Sequence, residues 1–258
     1  MRRRKRTPLR SALGLASVAL GAAAGATPAT AQERAGVAGA VVPLASATKP
    51  GAAQQTLAVG AELVRNERIA TDVGGRAHLL FLDQTAVTLG PSTEMTIDEF
   101  VYNPAQDTGT AAVTVGRGVM RFVGGRLSKQ QDATIRTPVA TIGVRGAIVI
   151  TEILPNLSTL VVFVYGDRLT IRSNTGATRV LTQPGLAIIV AANGTIEDPV
   201  FPRPELLDRL LAMLGPPSGR DGPGIPGFTV PPVAMPPGGY IDPRRAKDAM
   251  PGRPTPGY

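Results

Sequence analysis

Between residues 57 and 198 the apolar positions come in short bursts that either alternate with polar ones or run unbroken. Each burst stops at Gly, Pro, Asn, Asp or Ser. That rhythm predicts short strands joined by turns rather than helices. "RAHLLFL" and "TAVTLG" flank Asp83 and Gln84, the spacing of a two-residue hairpin that lacks the glycine such turns prefer. "EMTIDEF" follows Pro91 and Ser92, "TAAVTV" and "GVMRFV" are broken by Gly116 and Arg117, and "ATIRT" follows. "GAIVITEIL" and "STLVVFVY" surround Pro155 and Asn156. "RLTIRS", "TRVLT" and "LAIIVAA" finish the series, with turns at Asn174, Gly176, Pro184 and Asn193. Val, Ile and Thr dominate, as strands prefer. The pattern predicts an all-β, antiparallel-rich domain of about 12 short strands, leaving open a sandwich, a roll or a short solenoid.

Helical periodicity emerges once. "PELLDRLLAML", residues 204–214, opens on Pro, carries Glu and Asp early, spaces its leucines for one face and is followed by Gly215. This short C-terminal helix with its linker occupies residues 199–214. Beyond it, residues 215–258 contain 12 Pro and 9 Gly in 44 positions. That composition cannot offset its own ordering entropy by burial and reads as a disordered tail.

The N-terminus has a different logic. "MRRRKRTPLR" is a basic stretch, an apolar segment rich in Ala, Leu and Gly follows, and "ATA" (residues 29–31) precedes Gln32. The order is that of a secretory signal peptide over residues 1–31, with an N-terminal membrane anchor as the alternative. Residues 32–56, rich in Ala, Gly and Thr, read as a flexible leader with one candidate strand at "AGAVVPL". Six of the 27 basic residues lie in the first ten, so the mature chain is close to neutral against its 19 acids. The basic pI is therefore no sign of nucleic-acid binding, and no basic run with interleaved aromatics follows.

There is no Cys and one His, which excludes disulfides and the usual zinc and iron–sulfur spacings. His78 sits in a strand beside apolar neighbours and reads as a half-buried, satisfied histidine. Asp98 and Glu99 are adjacent in a strand and are expected on opposite faces, which denies them a joint acid–base role. Ser92, Ser128, Ser158 and Ser173 have no G-x-S-x-G context. The two "VGGR" turns (residues 73–76 and 123–126) offer backbone N–H groups that suit phosphate only weakly, since no helix is expected after them. No catalytic, cofactor-binding or metal residue is assigned.

The stretch "TPVATIGVRG", residues 137–146, sets a guanidinium beside glycine within an apolar run. With "VGAELVRNERIAT", "GGRA", "LLFLDQTAVTLGPSTEMTIDEF", "FVYNPA", "GVMRFVGGRL", "VYGDRLTI" and "LTQPGLAIIV" in order, the chain from Val59 to about Ile196 resembles the FecR domain family of exported β-rich modules. Thr137, Pro138, Ile142, Gly143, Arg145 and Gly146 carry the family hallmark. The chain departs from the family at Ala147, where threonine is common, and at Gln84, which replaces a turn glycine.

The family's named regulators place an anti-sigma region before a membrane helix. Only ten residues precede the apolar segment here, so that activity is not expected to transfer whole. The resemblance implies an exported, non-enzymatic module of the periplasm or cell envelope of a Gram-negative-type bacterium. Its partner would be an envelope protein, held by strand edges and loops. A carbohydrate- or peptidoglycan-binding module is the alternative, though the chain has no Trp and only four Tyr. No nucleic acid and no membrane span after signal cleavage are expected. Arg145 itself reads as an internal clamp reaching a buried acid or open turn carbonyls, with Glu62, Asp83, Glu99 and Asp167 as candidate acids.

Overall fold

The computed structural model describes residues 34–42 and 44–215. The expected signal peptide, and the tail beyond Gly215, lie outside the described residues. Strands are numbered in chain order.

The first sheet begins with β4 (Glu62–Val64), β1 (Arg34–Val42), β6 (Arg76–Phe81) and β7 (Ala86–Leu89). It continues through β9 (Thr108–Val123), β12 (Ile148–Ile153), β13 (Thr159–Tyr165) and β16 (Ala187–Val190). The second sheet begins with β3 (Gln55–Thr56), β2 (Ala45–Thr48), β5 (Arg68–Thr71) and β8 (Glu94–Asn103). It passes through the same β9 to β10 (Ala133–Arg136), β11 (Ala140–Arg145), β14 (Arg168–Ser173) and β15 (Thr178–Leu181). All pairings are antiparallel except β9 with β10. The described residues are mostly β, as the pattern predicts, but hold sixteen strands rather than about 12.

Inward residues of both sheets form one core. Leu79, Phe81 and Leu89 come from the first sheet, and Ile97, Phe100 and Ile142 from the second. Phe81 and Phe100 meet across the interface with ring centroids 5.3 Å apart. Of the three architectures left open, this is a sandwich, and its two sheets share a strand.

"TAAVTV" and "GVMRFV" are not two strands. Both belong to β9, which pairs with β8 as far as Arg117 and with β10 as far as Thr114, then with β12 from Gly118 and with β7 from Met120. The glycine at 116 marks the register shift where β9 leaves one sheet for the other.

The flexible leader expected for residues 32–56 is also corrected. Arg34–Val42 is a central strand of the first sheet, and β2 and β3 extend the second. The small residues that look like low complexity are demanded by packing. Ala35 and Ala38 are buried in the core, and a side chain on Gly36 would collide with the backbone of Leu80. A hairpin forms at Asp83 and Gln84, but its loop has three residues rather than two: Phe81 N–H donates to Thr85 O, Gln84 N–H donates to Phe81 O, and Gln84 takes the left-handed position at φ 70°.

Near-continuous apolar runs in β12, β13 and β16 are explained by burial on both faces. Val161 and Phe163 point into the sandwich, while Leu160, Val162, Ile150 and Ala187 point out against α2 (Pro204–Leu214). The sequence pattern places this helix at the observed residues. Leu210 and Leu214 anchor it. The Arg209 fork holds Glu152 Oε1 and Oε2 at 2.7 Å each, a bidentate geometry. Its last turn lacks a basic residue. Arg76 supplies the charge from β6 by donating to Met213 O at 2.7 Å and Ala212 O at 2.9 Å. A second helix, α1 (Arg126–Gln130), is too short to leave a periodic signal.

Leu210 is fully buried under this helix. Leu210→Ala should cost about 2–4 kcal/mol in denaturant unfolding, and a loss below ~1 kcal/mol would mean that α2 is not docked as described.

Candidate functional site

The hallmark hairpin β10–β11 hangs on β9 by the one parallel pairing among the described residues. Its turn is closed by Thr137, whose N–H donates to Ala140 O while its Oγ1 accepts from Ala140 N–H. Thr159 Oγ1 donates to Thr137 Oγ1, tying the turn to β13. Pro138 leaves its carbonyl to accept from Asn174 Nδ2 at 2.8 Å. Alternation in β11 sends Ala140, Ile142 and Val144 into the core and leaves Thr141, Gly143 and Arg145 on the outer side.

Arg145 Nε donates to Asp132 Oδ1 at 2.7 Å, and Nη1 donates to Gln130 O at 2.9 Å. The acceptors lie at the end of α1 and just beyond it. The guanidinium thus engages both a carboxylate and a turn carbonyl, the two kinds of acceptor expected. The acid is none of the four candidates, however. Asp83 is buried in its own hairpin, bonded to Thr85, and Glu62 pairs with Arg34. Glu99 accepts from Thr110, and Asp167 stands beside Gly146.

The reason lies in α1. This short helix, absent from the sequence reading, brings Asp132 back over β11. The clamp is also not internal, since Arg145 and Asp132 are each 32% exposed. Arg168, directly across from Arg145 in β14, reaches the same Asp132 oxygen at 3.4 Å. One carboxylate therefore offsets two facing arginines.

Gly146 ends the hallmark at φ 53°, in the left-handed region. Its N–H donates to Ser128 O in α1, and a side chain there would meet the Asp167 carboxylate at 2.6 Å. Gly124 N–H donates to Ala147 O, Gly125 N–H to Thr85 Oγ1, and Arg126 N–H to Asp83 O. These bonds join the hallmark, α1 and the β6–β7 hairpin. They also engage three successive N–H groups of the second "VGGR" turn, which are therefore not presented to a phosphate.

The other chemical candidates are likewise held in structure. His78 is half-buried with Nδ1 3.0 Å from Thr88 Oγ1, and burial, then the Arg121 charge, lowers its pKa. Ser128 Oγ donates to Gly125 O, Ser173 Oγ to Gly194 O, and Ser158 Oγ accepts from Ala192 N–H. Ser92 sits at φ 51° in a turn. The expectation for Asp98 and Glu99 fails. A register shift between Ile97 and Glu99 is a β-bulge that leaves Ile97 and Phe100 inside and both acids outside. There Asp98 accepts from Thr114 and Arg136, and Glu99 from Thr110.

Glu67 is a titratable group that the sequence did not single out. It is 1% exposed. Burial raises its pKa, opposed in part by the Val64 N–H that donates to Oε2 at 2.8 Å and by the Lys49 charge. The only sequence signal is an acid between two short strands.

Two outcomes follow from this geometry. A third-exposed ion pair with one added carbonyl contact is worth less than a buried one. Arg145→Ala should therefore cost about 1–2 kcal/mol in denaturant unfolding, with Arg145→Lys in between because an ammonium lacks the planar fork. An unchanged midpoint for Arg145→Ala would remove the clamp. For Glu67 the folded pKa lies above the unfolded one, so its contribution is full below the ordinary carboxylate pKa and is lost as pH rises through the raised value. Glu67→Gln should raise the unfolding midpoint at pH 7 and lose that advantage toward pH 4. An equal gap at both pH values contradicts the assignment.

Comparison with known proteins bears on this same region. The family model described as FecR protein matches residues 67–182. No curated protein matches the chain. Two crystal structures from Parabacteroides distasonis ATCC 8503, at 2.50 and 1.65 Å and each designated a candidate anti-sigma factor, are similar at 21% and 22% identity. They cover 56% of this chain, with a TM-score of 0.46 in both cases. This chain spans 63% and 64% of the two solved chains, under two thirds of each. The matched residues hold β9, the hallmark hairpin and the turns it is bonded to, so over residues 67–182 the chain is similar to the family described as FecR protein.

Proposed function

We propose that this protein is exported and acts in the cell envelope as a non-enzymatic, signalling-associated binding module that holds a protein partner along the β15 edge of its second sheet. The observation that carries the reading is β15. It is the last strand of that sheet, and among the described residues it pairs on one side only, with β14. Thr178, Arg179 and Val180 are exposed along it, Val180 at 52%. A strand with one unpaired side accepts an extended segment of another chain by backbone hydrogen bonding. The family supports an envelope role, and the basic and apolar N-terminal pattern supports export. A non-enzymatic role is supported by how the candidate acids, serines and histidine bond within the fold.

Val180→Lys should leave the melting transition nearly unchanged, since the side chain is exposed, while weakening edge pairing. In a pull-down from envelope extract, wild type should enrich one protein and the variant should lose it about tenfold or more. Equal capture by both would reject the β15 edge, and retention on purified cell wall instead would favour the glycan-binding alternative. Export has its own check. Envelope-derived protein should begin at Gln32 by N-terminal mass spectrometry, and an intact Met1 on membrane-bound material would replace cleavage with an anchor.

A further inference from the structure

Helix α2 covers only half of the first sheet's outer face. Strand register defines what remains. One row crosses five strands as Val37, Leu80, Ala86, Val123 and Ile148. All five are apolar and half-buried, and none belongs to either hydrophobic core. The next row runs through His78, Thr88 and Arg121 before reaching Ile150, Val162 and Ala187 beneath α2. The uncovered half is therefore the same floor that the helix uses.

Arg121 is the arginine within these two rows. Its Nε is buried without a hydrogen-bond partner among the described residues. Its side-chain hydrogen bond among the described residues is from Nη2 to Thr88 Oγ1 at 3.4 Å. A solvated sheet face looks different. The outer face of the second sheet carries Thr96, Thr114, Thr134, Arg136 and Thr141 in adjacent strands.

The end of the described chain lies at the edge of this floor. Arg76 holds the carbonyls of Ala212 and Met213, and it is two residues from His78 on the same strand face. Val119, packed with Leu210 and Leu214, is two residues from Arg121. The chain continues for 43 residues after Gly215. Asp221 comes six positions on, a reach of about 20 Å when extended, enough to meet Arg121. Phe228, Val230 and Val233 follow in "FTVPPV".

A proline-rich sequence favours polyproline II, and ordering such a stretch on an existing apolar surface costs little entropy. Six residues at ~3.1 Å each span about 19 Å, matching five strands at ~4.8 Å spacing. Tethering holds it near at effective millimolar concentration, so weak contact suffices.

We propose that the chain beyond Gly215 docks in cis on this face, with residues 228–233 across the row from Val37 to Ile148 and the Asp221 carboxylate on Arg121. This surface is separate from the β15 edge and does not depend on it.

The chain has no cysteine, so Leu80→Cys in the full-length protein reports the face with a single thiol. Adding Phe228→Asp and Val230→Asp should speed its alkylation by a small-molecule maleimide about fivefold or more, and Asp221→Asn about twofold or more. A Val101→Cys thiol on the other sheet should be unaffected. Rates that ignore these substitutions would overturn the proposal. So would a Leu80→Cys rate that falls with protein concentration, which assigns the face to a second copy. A photo-crosslinking residue at position 123 should yield internal products within residues 221–235, and products to residues 1–33 or to another chain overturn it.

Discussion

One strand has to serve two sheets, and the rest of the fold depends on how that is managed. Up to Arg117, β9 belongs to the second sheet, and from Gly118 it belongs to the first. The transfer bends the backbone into a conformation that only glycine adopts cheaply, φ 84° at Gly118. A bend in a sheet also strands peptide groups, and two buried threonine hydroxyls collect them. Thr93 Oγ1 accepts from Val119 N–H at 3.0 Å. Thr71 Oγ1 accepts from Thr93 N–H at 2.9 Å and donates to Gly90 O at 2.6 Å. Both threonines are buried, where an unsatisfied peptide group would cost about 1–3 kcal/mol.

Once β9 is bent, the remaining elements have defined places. Its first half seats β8 and the hallmark hairpin, and its second half seats β7 and β12. Val119, just past the bend, contributes to the floor under α2. The hallmark then acts as a fastener more than as a binding site. Thr137 closes its turn, Gly146 lets the chain turn against α1, and Arg145 ties α1's end to β11. These are several modest interactions around a large shared core, so the core carries most of the stability and the polar contacts fix which turn sits where.

Legibility followed the physics of each signal. α2 was readable to its ends because proline, early acids, leucine spacing and glycine all agree at Pro204–Leu214. The strands from β6 onward were readable because Val, Ile and Thr alternate or cluster between turn residues. β1 is legible only in its second half, at "AGAVVPL", since a strand of Ala and Gly imitates a linker when its role is to allow close approach. The bulge at Asp98 was invisible because alternation assumes an unbroken pleat, and one extra residue turns both acids outward. Asp132 was missed as Arg145's partner because α1, five residues long, leaves no periodic trace. Gly116 and Arg117 carry the signal of a strand end, whereas the chain only changes sheets there.

The most direct measurement compares two glycines on either side of Arg117. A side chain on Gly118 would lie 2.3 Å from Thr93 Oγ1 and 2.5 Å from its Cα, in a positive-φ backbone. One on Gly116 would meet only Glu94 Oε1 at 4.0 Å. Denaturant unfolding of Gly118→Ala should show a loss of about 3 kcal/mol or more, up to failure to fold cooperatively. Gly116→Ala should stay within about 1 kcal/mol of wild type. If the two substitutions cost the same, or if Gly118→Ala unfolds at the wild-type midpoint, the bent shared strand is not what holds the two sheets together.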